Sequence, residues 1–258
     1  MVPSLLEQFL VSELFAFLMI FVRVGTGIMV LPGFGEAYVS TRIRLIFALM
    51  MSLALVPIFS PLMPAIPGSP LSLFVLLIAE MLVGIFIGYL SRLLVSTMQI
   101  AGSIIAYQSS LAMATMFDIS QGGQTTVISN FLTLIAVVLF FSLDIHHIML
   151  MGLADSYTLF PPGQFPIVGD MAEHYMELFS QVFRIAIQLS APHIVFALLF
   201  YLGSGVLSRL MPTMQVFFIL MPPQIMIAFF LLMATLTTIM LTYTSFVEET
   251  LRAFLDHS

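Results

Sequence analysis

Cysteine is missing from all 258 residues, which excludes disulfides and thiolate-held metals and leaves the compartment open. Lysine is missing as well, since the seven basic residues are all arginines. Charge of either sign is scarce: charged residues make up 8% of the chain and hydrophobic residues 60%. A soluble globular domain is roughly 45–50% apolar and roughly 25% charged. Too little charge is present to coat a water-facing surface, so the chain reads as an integral membrane protein or as a subunit buried in an assembly. The net charge of −6 supplies no basic footprint for nucleic acid. The opening "MVPSLLEQFLVSEL" has no basic n-region and carries Glu7 and Glu13, so it does not read as a cleaved signal peptide. No G-x-S-x-G, Walker A or dinucleotide fingerprint occurs, so no motif supports enzyme chemistry. No linker-like shift in composition divides the chain, and no internal repeat is visible.

Long apolar runs are what the chain does have. A membrane-spanning helix needs about 20 mostly apolar residues because the hydrocarbon core is about 30 Å thick. The runs predict helices over 9–31, 43–60, 71–107, 127–154, 176–209 and 214–250. The expected class is all-α: about six long hydrophobic helices with proline and glycine breaks, lying in a membrane or embedded in an assembly. "MPPQ" at 221–224 is expected to break the last helix, because Pro222 and Pro223 each remove a donor and clash with the preceding turn. Pro57, Pro61, Pro64, Pro67 and Pro70 predict an irregular, extended connection over 57–70. Residues 155–177, with Asp155, Asp170, Glu173 and Glu177 and no arginine, read as a solvated acidic loop that then enters a helix. Arg42 and Arg44 flank one loop and Arg209 another. If those loops face the cytoplasm, the acidic loop faces out.

Four ionisable residues fall inside apolar runs: Arg23, Glu80, Arg92 and Arg184. At the centre of a spanning helix each costs about 2.5–3.5 kcal/mol, so they are expected to face protein or water. An ion path is one reading; a buried ion pair that fixes helix register is favoured, because no chain of acidic groups accompanies them. Glu80, Gly84 and Gly88 share one helix face in "EMLVGIFIG", a groove that lets two backbones approach. In "SLDIHHIM", Asp144 and His147 stand three apart on one face, with His146 between them. A helix-terminal polar contact is preferred there to a metal or catalytic site, since no HExxH-type motif surrounds them.

The segment "LAMATMFDISQGGQTTVISN" (111–130) interrupts two apolar runs with Met113, Met116, Phe117, Asp118 and the adjacent Gly122 and Gly123. The chain holds 20 methionines, more than its 13 acidic residues, and methionine conforms to irregular partners. Non-helical backbone at membrane depth is tolerated where protein buries it or where it lines a cavity. A hydrophobic constriction on such a loop gates by excluding water. An ordinary aqueous loop fits the same residues.

Five stretches occur in order: "RVGTGIMVLPGFGEAYVSTRIRLIFAL" (23–49), "EMLVGIFIGYLSRLLVSTMQIAGSIIAYQ" (80–108), "FDISQGGQTTVISNFLTLIAVVLFFSLDIHH" (117–147), "SYTLFPPG" (156–163) and "RLMPTMQVFFILMPPQI" (209–225). Together they resemble the FliR family, export-gate subunits of the bacterial flagellar type III secretion system, with injectisome proteins as more distant relatives. The resemblance covers roughly residues 9–250. It implies a structural, non-enzymatic, pore-forming subunit without a cofactor. Its expected partners are FliP-like and FliQ-like subunits in a helical complex, FlhB-like and FlhA-like export proteins, membrane lipid, and unfolded flagellar subunits as cargo. Its expected place is the inner membrane at the flagellar base. It implies a FliP-like part at 1–175 and a FliQ-like hairpin and tail at 176–258. It also implies a plug loop at 106–124 containing Tyr107, Met113, Met116, Phe117, Asp118, Gly122 and Gly123. Finally, it implies that the helices form bent hairpins whose apolar faces meet other subunits. Three rivals remain: a stand-alone transporter or channel, a membrane enzyme using Asp144, His146 and His147, and the equivalent subunit of an injectisome.

Overall fold

A computed structural model describes residues 5–112, 126–212 and 215–256. Among these residues the chain is helical, without strands: α1 (Leu5–Val30), α2 (Thr41–Phe59), a 3-10 turn (Ser60–Leu62), α3 (Pro70–Gln108), α4 (Val127–Ser142), α5 (Ile145–Leu159), α6 (Val168–Leu210) and α7 (Val216–Asp256). Five helical stretches are long and apolar enough to cross a membrane, or six if the α4–α5 pair counts as one broken span.

Local chemistry explains most helix ends. Ser40 and Thr126 stand just before α2 and α4, and each hydroxyl accepts from the N–H three residues on. Pro70 opens α3, where its missing N–H is no loss. In α6, Asp170 lies in the first turn and Arg209 in the last, both signs complementing the helix dipole. After α1 the chain turns through Gly33, whose φ of 82° is the left-handed conformation that glycine adopts without steric cost.

Four expectations are corrected. The run 127–154 is two helices, α4 and α5. Asp144 sits between them at φ 57°, left-handed backbone that Asp tolerates better than most residues. The last helix does not break at "MPPQ": α7 runs through both prolines. It begins at Val216, so Pro222 and Pro223 fall in its second turn, where each removes one i→i−4 hydrogen bond, and the helix continues past both to Asp256. The acidic stretch is mostly helix, because α5 continues to Leu159 and α6 starts at Val168. Asp170, Glu173 and Glu177 are thus exposed residues of α6 rather than of a loop. The proline-rich connection is also shorter than expected, with Pro57 inside α2 and Pro61 opening the 3-10 turn.

The chain divides into two compact units, each discontinuous in sequence. One comprises residues 1–93, 144–178 and 249–258; the other comprises 94–143 and 179–248. In the first, Met19, Ile20, Val24, Ile28, Val83, Ile87, Leu153 and Tyr157 are buried. Phe59 stacks on Tyr157 with centroids 4.3 Å apart, and Phe34 stacks on Phe47 at 5.2 Å. In the second, Leu94, Met98, Ala101, Ile105, Leu132, Ala136, Phe140 and Tyr243 are buried, and the rings of Phe140 and Tyr243 lie nearly parallel.

Candidate functional site

The first unit is organised around one arginine. Arg23, on the inner face of α1, is 1% exposed. Its Nε donates to Glu80 Oε2 of α3 at 2.6 Å. Nη1 donates to the Ser156 carbonyl at 3.0 Å and to its hydroxyl at 3.3 Å, and Nη2 donates to the Phe160 carbonyl at 3.0 Å. The guanidinium lies over the Tyr157 ring, 4.1 Å from its centroid. Ser156 and Phe160 stand at the C-terminal end of α5, where the dipole favours a cation; the Ser156 carbonyl accepts from the Phe160 N–H at 2.9 Å as well as from Arg23. One buried cation therefore neutralises a carboxylate on α3 and caps α5. Burying a charge is tolerable only when it is paired and its hydrogen bonds are filled, and both conditions hold here.

Glycines let α1 and α3 approach closely enough for the pair to form. A Cβ on Gly84 would run into the Arg23 carbonyl oxygen and the Thr26 hydroxyl. One on Gly88 would lie 2.7 Å from Val30 Cβ, and one on Gly27 would lie 2.7 Å from Leu153 Cδ1. Gly84 and Gly88 were legible as a groove. Gly27, on the opposing helix, was not singled out, because a single small residue in an apolar run has no signature until its partner is known.

Arg92 and Arg184, unlike Arg23, are exposed in this chain. Arg92 lies 3.7 Å from Glu36 and donates to the Val30 carbonyl at 3.4 Å, so it serves the turn after α1. Arg44 serves the same turn, donating twice to the Val39 carbonyl at 3.1 and 2.9 Å. That local duty weakens Arg44 as a topology signal. Arg184 stands on an open face of α6.

The second unit contains a polar node that the sequence reading missed. Gln224 follows Pro223 and is 2% exposed. Its amide nitrogen donates to the Gln108 carbonyl at 3.0 Å and, more weakly, to the Tyr201 hydroxyl at 3.4 Å. Its amide oxygen accepts from the Ser110 hydroxyl at 3.1 Å. Ser110 has a φ of 61°, so the chain turns there as it leaves α3. Gln224 thus ties the end of α3 to α7 and to α6. The one available signal was a glutamine inside an apolar run, which must find partners when buried. Nearby, Gly102 packs against Ser129, whose hydroxyl donates to the Gln99 carbonyl at 2.9 Å.

Tyr107, in the last turn of α3, is exposed. Met113, Met116, Phe117, Asp118, Gly122 and Gly123 lie outside the described residues.

These features define a helical, charge-poor scaffold with buried polar ties. A family model described as "Bacterial export proteins, family 1" matches residues 14–250, which sets the class. The chain is 35% identical over 236 residues to the flagellar biosynthetic protein FliR of Caulobacter vibrioides, covering 92% of this chain and 94% of that protein. It is 30% identical to the FliR of Bacillus subtilis, with 87% of each covered. It is 29% identical to the FliR of Aquifex aeolicus, covering 96% of this chain and 94% of the relative. The chain belongs to the FliR family of bacterial export proteins.

Proposed function

We propose that this chain is a structural, pore-forming subunit of the flagellar type III export gate, in the bacterial inner membrane at the flagellar base. FliP-like and FliQ-like subunits cover its apolar helix faces, and FlhB-like and FlhA-like proteins join around that core. Unfolded flagellar subunits pass through the shared lumen. Residues 1–175 act as the FliP-like part and 176–258 as the FliQ-like hairpin and tail.

The observation that carries this reading is the exposed face of α6. Large apolar side chains are exposed on it from Met176 to Leu210. At about 1.5 Å per residue that stretch is about 51 Å long. A hydrocarbon core of about 30 Å would need a tilt of about 54° to contain it, beyond the roughly 0–40° that spanning helices adopt. Arg184 is exposed within the same stretch, where contact with lipid is costly. Protein neighbours satisfy both features. A head-to-tail spiral of unlike subunits supplies such neighbours without closing a ring.

In this reading the segment 106–124 is the plug. Tyr107, Met113, Met116 and Phe117 offer the apolar seal. Methionine side chains adapt to varied cargo, and Gly122 and Gly123 ease displacement of the loop by an arriving segment. The test is deletion of 110–120 in a gate reconstituted with its FliP-like and FliQ-like partners. Ion leakage through the assembled gate should rise; an unchanged leak in a complex of correct composition refutes the plug. Failure of the chain to co-purify with those partners refutes the gate reading itself.

A further inference from the structure

We propose that Asp144, His146 and His147 form a binding site for a divalent transition-metal ion of the zinc class. The three side chains each bring one ligand atom within 4.8 Å of the others. His147 Nδ1 lies 3.4 Å from Asp144 Oδ1, and the two imidazole rings have centroids 4.1 Å apart. Ligand atoms about 2 Å from a tetrahedral zinc lie about 3.3 Å from one another. The Asp144–His147 pair already has that spacing, and a ring nitrogen of His146 lies within 4.8 Å of both.

Regular helical spacing does not give this arrangement. It would place Asp144 and His147 on one face and turn His146 about 100° away. Asp144, however, is the residue before α5 and has left-handed backbone, so it leaves the helical register. An aspartate there ordinarily accepts from N–H groups of the first turn. The Asp144 carboxylate makes no such cap bond, and it lies instead beside an imidazole. The Asp144 carbonyl accepts the His147 N–H at 3.0 Å, which fixes the backbone of the cluster. The Asp144 and His147 side chains are 75% and 64% exposed, so an ion reaches them from solvent without rearrangement of the core.

The donor set selects the metal. Two imidazoles and one carboxylate suit zinc, nickel, copper or iron(II), whereas calcium and magnesium prefer all-oxygen sites. Three protein ligands leave a further position for water. Binding would tie the first turn of α5 to the residue that starts it.

The experiment uses the full chain, purified in detergent without a histidine tag, alone or with its partners, and stripped with chelator. Titration calorimetry with Zn2+ and the visible absorption of added Co2+ are the readouts. The wild type should bind one more ion per chain than the His146→Ala/His147→Ala variant and should show a Co2+ band that the variant lacks. Asp144→Asn keeps the left-handed backbone preference and should weaken binding by about tenfold or more, as loss of a charged ligand does. His174→Ala should bind like the wild type. Equal stoichiometry in the wild type and the double variant overturns the proposal, as does a Co2+ band that disappears in His174→Ala. Helicity by circular dichroism confirms that the variants are folded.

Discussion

Glu80 on α3 and Arg23 on α1 meet at 2.6 Å with side chains only 2% and 1% exposed, although 57 residues separate them in sequence. Removing one partner leaves the other charged, buried and unpaired. Arg23→Met is expected to destabilise the chain by about 3–5 kcal/mol, and Arg23→Met with Glu80→Leu to recover a large part of that loss. Thermal unfolding in detergent measures both. If the double variant melts no higher than the single one, the pair is not the stabilising unit. The carbonyls that Arg23 caps on α5 would then carry the effect.

Two nearby glycines in the first unit give a paired prediction. A methyl on Gly84 collides with the Arg23 carbonyl, which is backbone and cannot move aside; a methyl on Gly25 meets only the Phe21 ring at 3.6 Å and Ala48 Cβ at 3.9 Å. Gly84→Ala should therefore cost about 1–3 kcal/mol through overpacking. Gly25→Ala should be neutral or stabilising by up to about 1 kcal/mol, the helix preference of alanine over glycine. Equal melting temperatures for the two variants would contradict the close approach of α1 and α3.

Gln224 holds both the Gln108 carbonyl and the Ser110 hydroxyl. Gln224→Leu fills the space but leaves both without that partner, at a cost of about 1–3 kcal/mol. Amide hydrogen exchange in the last turn of α3 should accelerate in this variant. Tyr201→Phe, which removes only the long 3.4 Å contact, should leave exchange unchanged. If the two variants exchange alike, Gln224 does not anchor α3.

Arg184 separates a covering by protein from a covering by lipid. It is exposed in the isolated chain, so Arg184→Glu should leave the melting temperature of that chain unchanged. Reversing its charge should instead lower recovery of FliP-like and FliQ-like partners by about tenfold, since like charges across an interface cost several kcal/mol. Undiminished recovery of the complex would place Arg184 away from any partner.

Much of the architecture was legible before any coordinates. The apolar runs announced the helices because burial of 20-residue stretches leaves few alternatives in a chain so poor in charge. The "EMLVGIFIG" groove announced itself because three helix-face positions were small or acidic at the right spacing. Asp144 hid the α4–α5 break, because no proline or glycine marks it and only the backbone torsion reveals it. Pro222 and Pro223 misled in the other direction: a proline removes a hydrogen bond without having to end the helix, and α7 continues through both. Arg92 and Arg184 read like Arg23 because hydropathy ignores direction: on a helix, the side on which an arginine stands decides whether it is buried.

Amino-acid order by itself determined that this protein is helical, that its surfaces need an apolar environment, and that Arg23 and Glu80 require partners. Those properties follow from side-chain solvation and helix periodicity, which are local. The tertiary structure alone decided which partners they have. Arg23 takes Glu80, and it also takes the Ser156 backbone, 133 residues away, as a helix end to cap. The same step brings Gly84 against the α1 backbone, seats Gln224 on the end of α3 and turns the Asp144 carboxylate toward an imidazole. Such contacts depend on which faces of distant helices meet, and no property of a single segment encodes that.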